Sequence, residues 1–282
     1  MTTYQHADVR GVKMFYREAG AKGSPTIVLL HGFPSSSHMF RDLIPQLEGK
    51  FHIVAPDYPG FGYSDAPDVK AFEYTFDNLA AHVEELLLGV LGLKSIRIYV
   101  QDYGAPVGFR VAVRHPEAIA GIISQNGNAY AEGIGAGFDA MKPFWANRNT
   151  ETEKPVRALL TKETTIFQYT HGVKDVARIS PDSYTMDQMF LDRKGNDAIQ
   201  LSLLHDYQSN LKRYDEWHEF FKKRQPKTLI VWGKNDPFFT VEGAKAYLRD
   251  IPKAELHLLD TGHFALEDSS EYIAQQIIKV FG

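Results

Sequence analysis

Short, continuous apolar runs recur along the chain and constrain its fold more than any other feature. Thr26-Ile-Val-Leu-Leu30, Phe51-His-Ile-Val-Ala55, Ile96-Arg-Ile-Tyr-Val100, Ile119-Ala-Gly-Ile-Ile123, Thr228-Leu-Ile-Val-Trp232 and Glu255-Leu-His-Leu-Leu259 each have the length of a buried strand. A strand that is apolar at successive positions buries both faces, which happens in parallel sheets covered by helices on each side. The intervening segments supply those helices. Phe76 to Leu93 carries Leu79, Val83, Leu86, Leu87, Val90 and Leu91 at helical spacing, Val107 to Arg114 reads similarly, and Ser269 to Phe281 closes the chain. Val12 to Glu18 alternates apolar and polar residues instead, as an outer antiparallel strand does. The expected class is α/β, with a mostly parallel sheet.

The alternation fails from about Ala131 to Pro226, where aromatics, charges and helical stretches mix and no strong buried strand occurs. This predicts a core of residues 1–130 and 227–282 with a helical insertion over 131–226. An insertion at the carboxyl end of a parallel sheet sits above the place where such sheets bind ligands, so a cap, or lid, is the expected role. A chain of 282 residues with 44% hydrophobic content can bury a core of that size.

A net charge of −4, without long basic or acidic blocks, gives no reason to expect nucleic acid or an anionic membrane as partner. A small, largely apolar molecule and water fit better as reactants. The absence of cysteine excludes disulfides, thiolate zinc sites and cysteine nucleophiles. No motif implies a cofactor or a metal. Met1 to Gly11 is polar, and no later segment approaches the apolar length that spans a bilayer, so a soluble, cytoplasmic protein is expected.

The chemistry is concentrated at Ile98-Tyr-Val-Gln-Asp102-Tyr-Gly-Ala-Pro106, an apolar strand that ends in an aspartate and runs into a glycine. It looks like a nucleophile elbow carrying a carboxylate in place of serine. A carboxylate is ionised at neutral pH and needs no base to become nucleophilic. Its attack on an acyl carbon gives a reactive anhydride, whereas attack on a saturated carbon bearing a leaving group gives an ordinary ester. The feature therefore points toward cleavage of C–O or C–halogen bonds.

Four further motifs follow a consistent order. These are His31-Gly-Phe-Pro34 after a buried strand, Asp57-Tyr-Pro-Gly-Phe-Gly-Tyr-Ser64, Trp232-Gly-Lys-Asn-Asp236-Pro237, and Thr261-Gly-His263-Phe264. With the elbow, they make nearly the whole chain resemble the α/β-hydrolase superfamily. The resemblance implies a mostly parallel eight-stranded sheet flanked by helices, with a helical cap. It also implies Asp102 as nucleophile, Asp236 as the acid, His263 as the base, and the N–H groups of Phe33 and Tyr103 as the oxyanion hole. These roles suit the chemistry. An ester on Asp102 is released by water, water needs a general base, and an imidazole needs a carboxylate on its far nitrogen to fix its tautomer and charge. In isolation Asp102 would read as a helix N-cap and Asp236 as a turn residue before Pro237. Asp57 before Pro-Gly reads as turn chemistry, and His31 as a loop organiser.

Among carboxylate-nucleophile hydrolases the chain resembles both epoxide hydrolases and haloalkane dehalogenases. An opening epoxide yields an alkoxide and needs a proton donor opposite the nucleophile, whereas a halide needs N–H donors from tryptophan or asparagine. Tyr103 and Phe33 stand where many dehalogenases carry those donors, and His-Gly-Phe-Pro is a form often seen in epoxide hydrolases. Tyr207-Gln-Ser-Asn-Leu-Lys-Arg-Tyr214 resembles the lid segment that supplies one proton donor, which assigns that part to Tyr207. Thr164-Thr-Ile-Phe-Gln-Tyr169-Thr-His-Gly172 resembles the segment that supplies the second, with Ile166 or Phe167 at the matching position and Tyr169 slightly later. The expected activity is an epoxide hydrolase giving a vicinal diol. The alternatives are a haloalkane or haloacid dehalogenase and, further off, a receptor-like binding module or an esterase. Haloacid chemistry lacks its flanking arginines here, a binding module has no need of three catalytic groups, and an esterase elbow needs serine.

Overall fold

The computed structural model describes residues 1–282. An eight-stranded sheet forms in the order β1-β2-β4-β3-β5-β6-β7-β8. The strands are β1 (Thr3–Val9), β2 (Val12–Ala19), β3 (Thr26–Leu30), β4 (His52–Pro56), β5 (Ile96–Gln101), β6 (Ile119–Gln125), β7 (Thr228–Gly233) and β8 (Glu255–Leu259). β1 and β2 are antiparallel, β2 joins β4 antiparallel, and the remaining pairings are parallel. This is the α/β-hydrolase sheet.

The continuous apolar runs divide between two cores because successive strand residues face opposite ways. Val28, Leu30, Ile98, Val100, Ile122, Ile230 and Trp232 enter one. Their neighbours Ile27, Leu29, Tyr99, Ile123, Leu229 and Val231 enter the other. β1 is the one strand absent from the sequence expectation. Its side chains are mostly exposed or half-buried, and it pairs only with β2, so Met1 to Gly11 reads as a polar stretch.

Between β6 and β7 the regular structure is helical. Helix Lys162–Thr170 starts on Thr161, whose hydroxyl accepts from Thr164 N–H, and helix Pro181–Leu191 starts on Ser180 with proline in its first turn. Arg193 ties this region to the turn after β4 by donating to the carbonyls of Gly60 and Gly62. The last helix, Tyr214–Arg224, packs Trp217 and Phe221 against Phe109 of the helix Gly104–Arg114 and so forms part of the core wall.

Candidate active site

Asp102 directly follows β5, with φ at +48°. A side chain other than glycine rarely adopts this conformation, which costs on the order of 1–3 kcal/mol. Pairing of β5 on both edges, with β3 and β6, holds it there. The reversal from strand to helix also needs two close approaches. A Cβ at Gly32 would collide with the side chains of Asp102 and Gln101, and one at Gly104 would collide with the Leu30 carbonyl.

The carboxylate that this turn presents has two different oxygens. Oδ1 accepts a hydrogen bond from Phe33 N–H at 2.6 Å, and the Tyr103 N–H lies beside the carboxylate. Oδ2 lies 4.0 Å from His263 Nε2. Burial pushes the Asp102 carboxyl up to about 6, against the pull of His263 and the two N–H groups and with help from Asp236. The group remains ionised at neutral pH with little solvation to give up, which suits a nucleophile.

His263 follows β8, and its Nδ1 meets Asp236 Oδ2 at 2.7 Å. The acid is itself held in place: Asn126 Nδ2 donates to its Oδ2 at 2.8 Å, and Phe238 N–H donates to its Oδ1 at 2.7 Å. With the Nδ1 proton directed at Asp236, the Nε2 lone pair faces Gln101 Nε2 at 2.9 Å. Burial lowers the affinity of the imidazole for a second proton. The Asp236 charge and hydrogen bond, together with the Asp102 charge, outweigh it, so the net shift is upward.

Above these groups lies a small cavity that Phe33, Asp102, Tyr103, Tyr207 and His263 all line, closed over by Phe138, Met141, Leu159 and Leu204. Its walls are mostly apolar, as in small-molecule sites. Tyr207 is buried, with its ring stacked on Trp145 and edge-on to Phe76. Its hydroxyl lies beside that of Tyr214, which accepts from Asn128 Nδ2 at 3.1 Å. Burial first, then Tyr214 and the Asp102 charge, raise the Tyr207 phenol well above its ordinary value, so it holds its proton.

Tyr169, expected as a second donor, is not brought to this cavity. Its hydroxyl donates to the buried Asp187 Oδ2, and its ring stacks on Phe264 with centroids 3.9 Å apart. Of the two residues at the matching position, Phe167 points outward at 43% exposure and Ile166 is half-buried, and neither lines the cavity. Gln168, between them, is buried and lines the cavity.

Two other polar groups lie outside the reacting set. Asp57 accepts from the N–H groups of Ser37 and Tyr63, pinning two turns. His31 stacks on Tyr58, and burial pulls its imidazole down to about 3, which keeps it neutral. Asn126, Gln101 and Gln168 escaped sequence reasoning. Asn126 sits in a Gln-Asn-Gly-Asn run at the end of β6 with φ at +47°, and the only signal was a turn composition at a strand end.

No helix is long and apolar enough to cross a membrane. Residues 25–270 match the family described as alpha/beta hydrolase fold. The chain is 43% identical over 275 residues to an uncharacterized hydrolase of Saccharomyces cerevisiae, covering 96% of this chain and 94% of that one. It is 39% identical over 292 aligned positions to a haloalkane dehalogenase of Mycobacterium marinum, covering 96% and 89%. A solved epoxide hydrolase shares the fold with a TM-score of 0.78 and 19% identity, over 100% of this chain and 99% of that one. A family match across this much of the sequence, on a sheet of this topology, makes the chain a hydrolase of the α/β-hydrolase fold family.

Proposed function

We propose that the protein hydrolyses small, largely apolar epoxides to vicinal diols through an ester on Asp102. In this reading Asp102 Oδ2 attacks one ring carbon as the C–O bond breaks, and its electron pair moves to the ring oxygen, which takes the phenolic proton of Tyr207. Water then loses a proton to His263 Nε2 and adds to Asp102 Cγ, while the N–H groups of Phe33 and Tyr103 carry the charge on Oδ1. Collapse expels the diol oxygen, which recovers the proton from His263, and the proton left on Asp102 replaces the one Tyr207 gave up. Residues 131–226 act as the cap over this chemistry, with Tyr207 as their contribution to it.

The observation that carries the epoxide reading is the donor set facing Asp102. Tyr207 stands in the cavity wall with its proton retained. The tryptophans are placed elsewhere. Trp145 Nε1 donates to the Leu204 carbonyl at 2.8 Å, Trp232 Nε1 donates to the Phe239 carbonyl at 2.9 Å, and Trp217 lies against Phe109 and Tyr214. A departing alkoxide needs a proton, which a phenol gives, whereas a departing halide needs N–H donors. Haloalkane dehalogenation is the second reading, favoured by the 39% identity to the Mycobacterium marinum dehalogenase.

Diol formation from aryl epoxides, assayed beside halide release from haloalkanes, separates the two. In a His263→Gln variant supplied with an aryl epoxide, intact-mass measurement is expected to find Asp102 heavier by one substrate. Wild-type turnover without any adduct in the variant rejects the covalent scheme. Halide release without diol formation rejects the epoxide reading in favour of the second.

A further inference from the structure

The helix Lys162–Thr170 buries Thr165, Gln168 and Tyr169, which the helical repeat places on one face. Two of the three are engaged: Thr165 Oγ1 donates to Gln188 Oε1 at 2.7 Å, and Tyr169 donates to Asp187. Gln168 is different. Only 4% of it is exposed, it lines the cavity shared by Asp102 and Tyr207, and its Nε2 has no hydrogen-bond partner. A buried N–H left unpaired costs stability, and in a residue that lines a cavity a ligand atom can supply the missing partner.

From this we infer that Gln168 is the second hydrogen-bond donor to the leaving oxygen, its Nε2 acting beside the Tyr207 hydroxyl. The inference rests on the epoxide reading above and adds the group that completes the donor pair. It also divides their labour. An amide N–H donates a hydrogen bond but has no proton to give at neutral pH. As the ring C–O bond breaks, Gln168 therefore stabilises the charge gathering on oxygen, while the proton itself comes from Tyr207 alone. In the second step the same oxygen is a neutral hydroxyl remote from Asp102 Cγ, so Gln168 acts on ring opening and not on ester hydrolysis.

The test uses Gln168→Met, close in size and without a donor, in the full-length protein. Ring opening is isolated by following the Asp102 ester by mass in a His263→Gln background, and ester hydrolysis is followed in single turnovers with His263 intact. Gln168→Met is expected to slow ring opening of styrene oxide by about ten- to a hundredfold, the weight of one hydrogen bond to a developing anion. Hydrolysis of the ester and the pH profile of ring opening should stay unchanged. The thermal midpoint should hold or rise, because a buried orphan donor is gone. An ester forming at the same rate with and without Gln168 overturns this inference and leaves the epoxide reading standing. A fall in the thermal midpoint with equal losses in both steps also overturns it, since that marks a packing residue. If His263→Gln alone forms no ester with the epoxide, the reading and the inference fail together.

Discussion

Asp102 Oδ1 rests 2.6 Å from Phe33 N, so the carboxylate lies with one oxygen already on a donor proposed for the oxyanion. The other, Oδ2, faces His263 at 4.0 Å. The two oxygens therefore have different fates. In the proposed scheme Oδ2 bonds a saturated carbon, and Oδ1 becomes the ester carbonyl without moving, already placed for the charge it acquires when water adds.

A labelling experiment follows from this asymmetry. Because water adds at Cγ and the bond from Oδ2 to the substrate carbon survives, the first diol formed in ¹⁸O water should carry no label. The label should appear instead in the peptide containing Asp102, and later turnovers should release it into product. A diol labelled in the first turnover, with an unlabelled Asp102 peptide, means that water attacks the substrate carbon directly.

The Asp102 charge has a stability cost that can be measured. Its carboxyl is raised from 3.8 to about 6, chiefly by burial. Between those values the folded chain holds a proton that the unfolded chain has lost, so this group's favourable contribution is complete below about 4 and is lost as pH rises through about 6. The shift corresponds to about 3 kcal/mol at neutral pH. Asp102→Asn carries no such charge, so urea unfolding should show its stability relative to wild type growing by about that amount between pH 4 and pH 8. A difference that stays constant with pH shows that burial does not oppose ionisation of Asp102.

What the sequence revealed of the site, and what it concealed, has a geometric cause. Asp102, Asp236 and His263 stand one, three and four residues past the ends of β5, β7 and β8, just beyond runs whose apolar residues fix the register. Gln168 lies on a helix, where each residue turns the side chain by about 100°. A one-residue slip there carries a side chain from cavity to solvent, as Phe167 at 43% exposure beside Gln168 at 4% shows. Tyr169 had the right chemistry and the right segment, yet the helix turns it toward Asp187. β1 was hidden for another reason. An edge strand with largely exposed side chains lacks the apolar signature that reveals its neighbours.

Asn126 provides the last prediction, because its side chain bonds mainly the acid loop, with one further bond accepted by its Oδ1 from Gln125 Nε2 at 3.0 Å. Its Nδ2 donates to Asp236 Oδ2 at 2.8 Å and to the Gly233 carbonyl at 3.2 Å, while its Oδ1 accepts from Gly233 N–H at 2.9 Å. Asp236 Oδ2 is the same oxygen that meets His263 Nδ1, so Asn126 positions the carboxylate that positions the base. Asn126→Gly removes these contacts while accommodating the φ of +47° at that residue. Losing one hydrogen bond to a charged acceptor weakens the hold on Asp236 by about 1.5–3 kcal/mol. Ester hydrolysis, which needs the imidazole aligned, should slow by about ten- to a hundredfold. Ring opening, which in the proposed scheme depends on Asp102, Tyr207 and Gln168, should stay near the wild-type rate, so the Asp102 ester should accumulate to a higher level during turnover than in the wild type. Equal slowing of both steps, without ester accumulation, rejects a positioning role for Asn126.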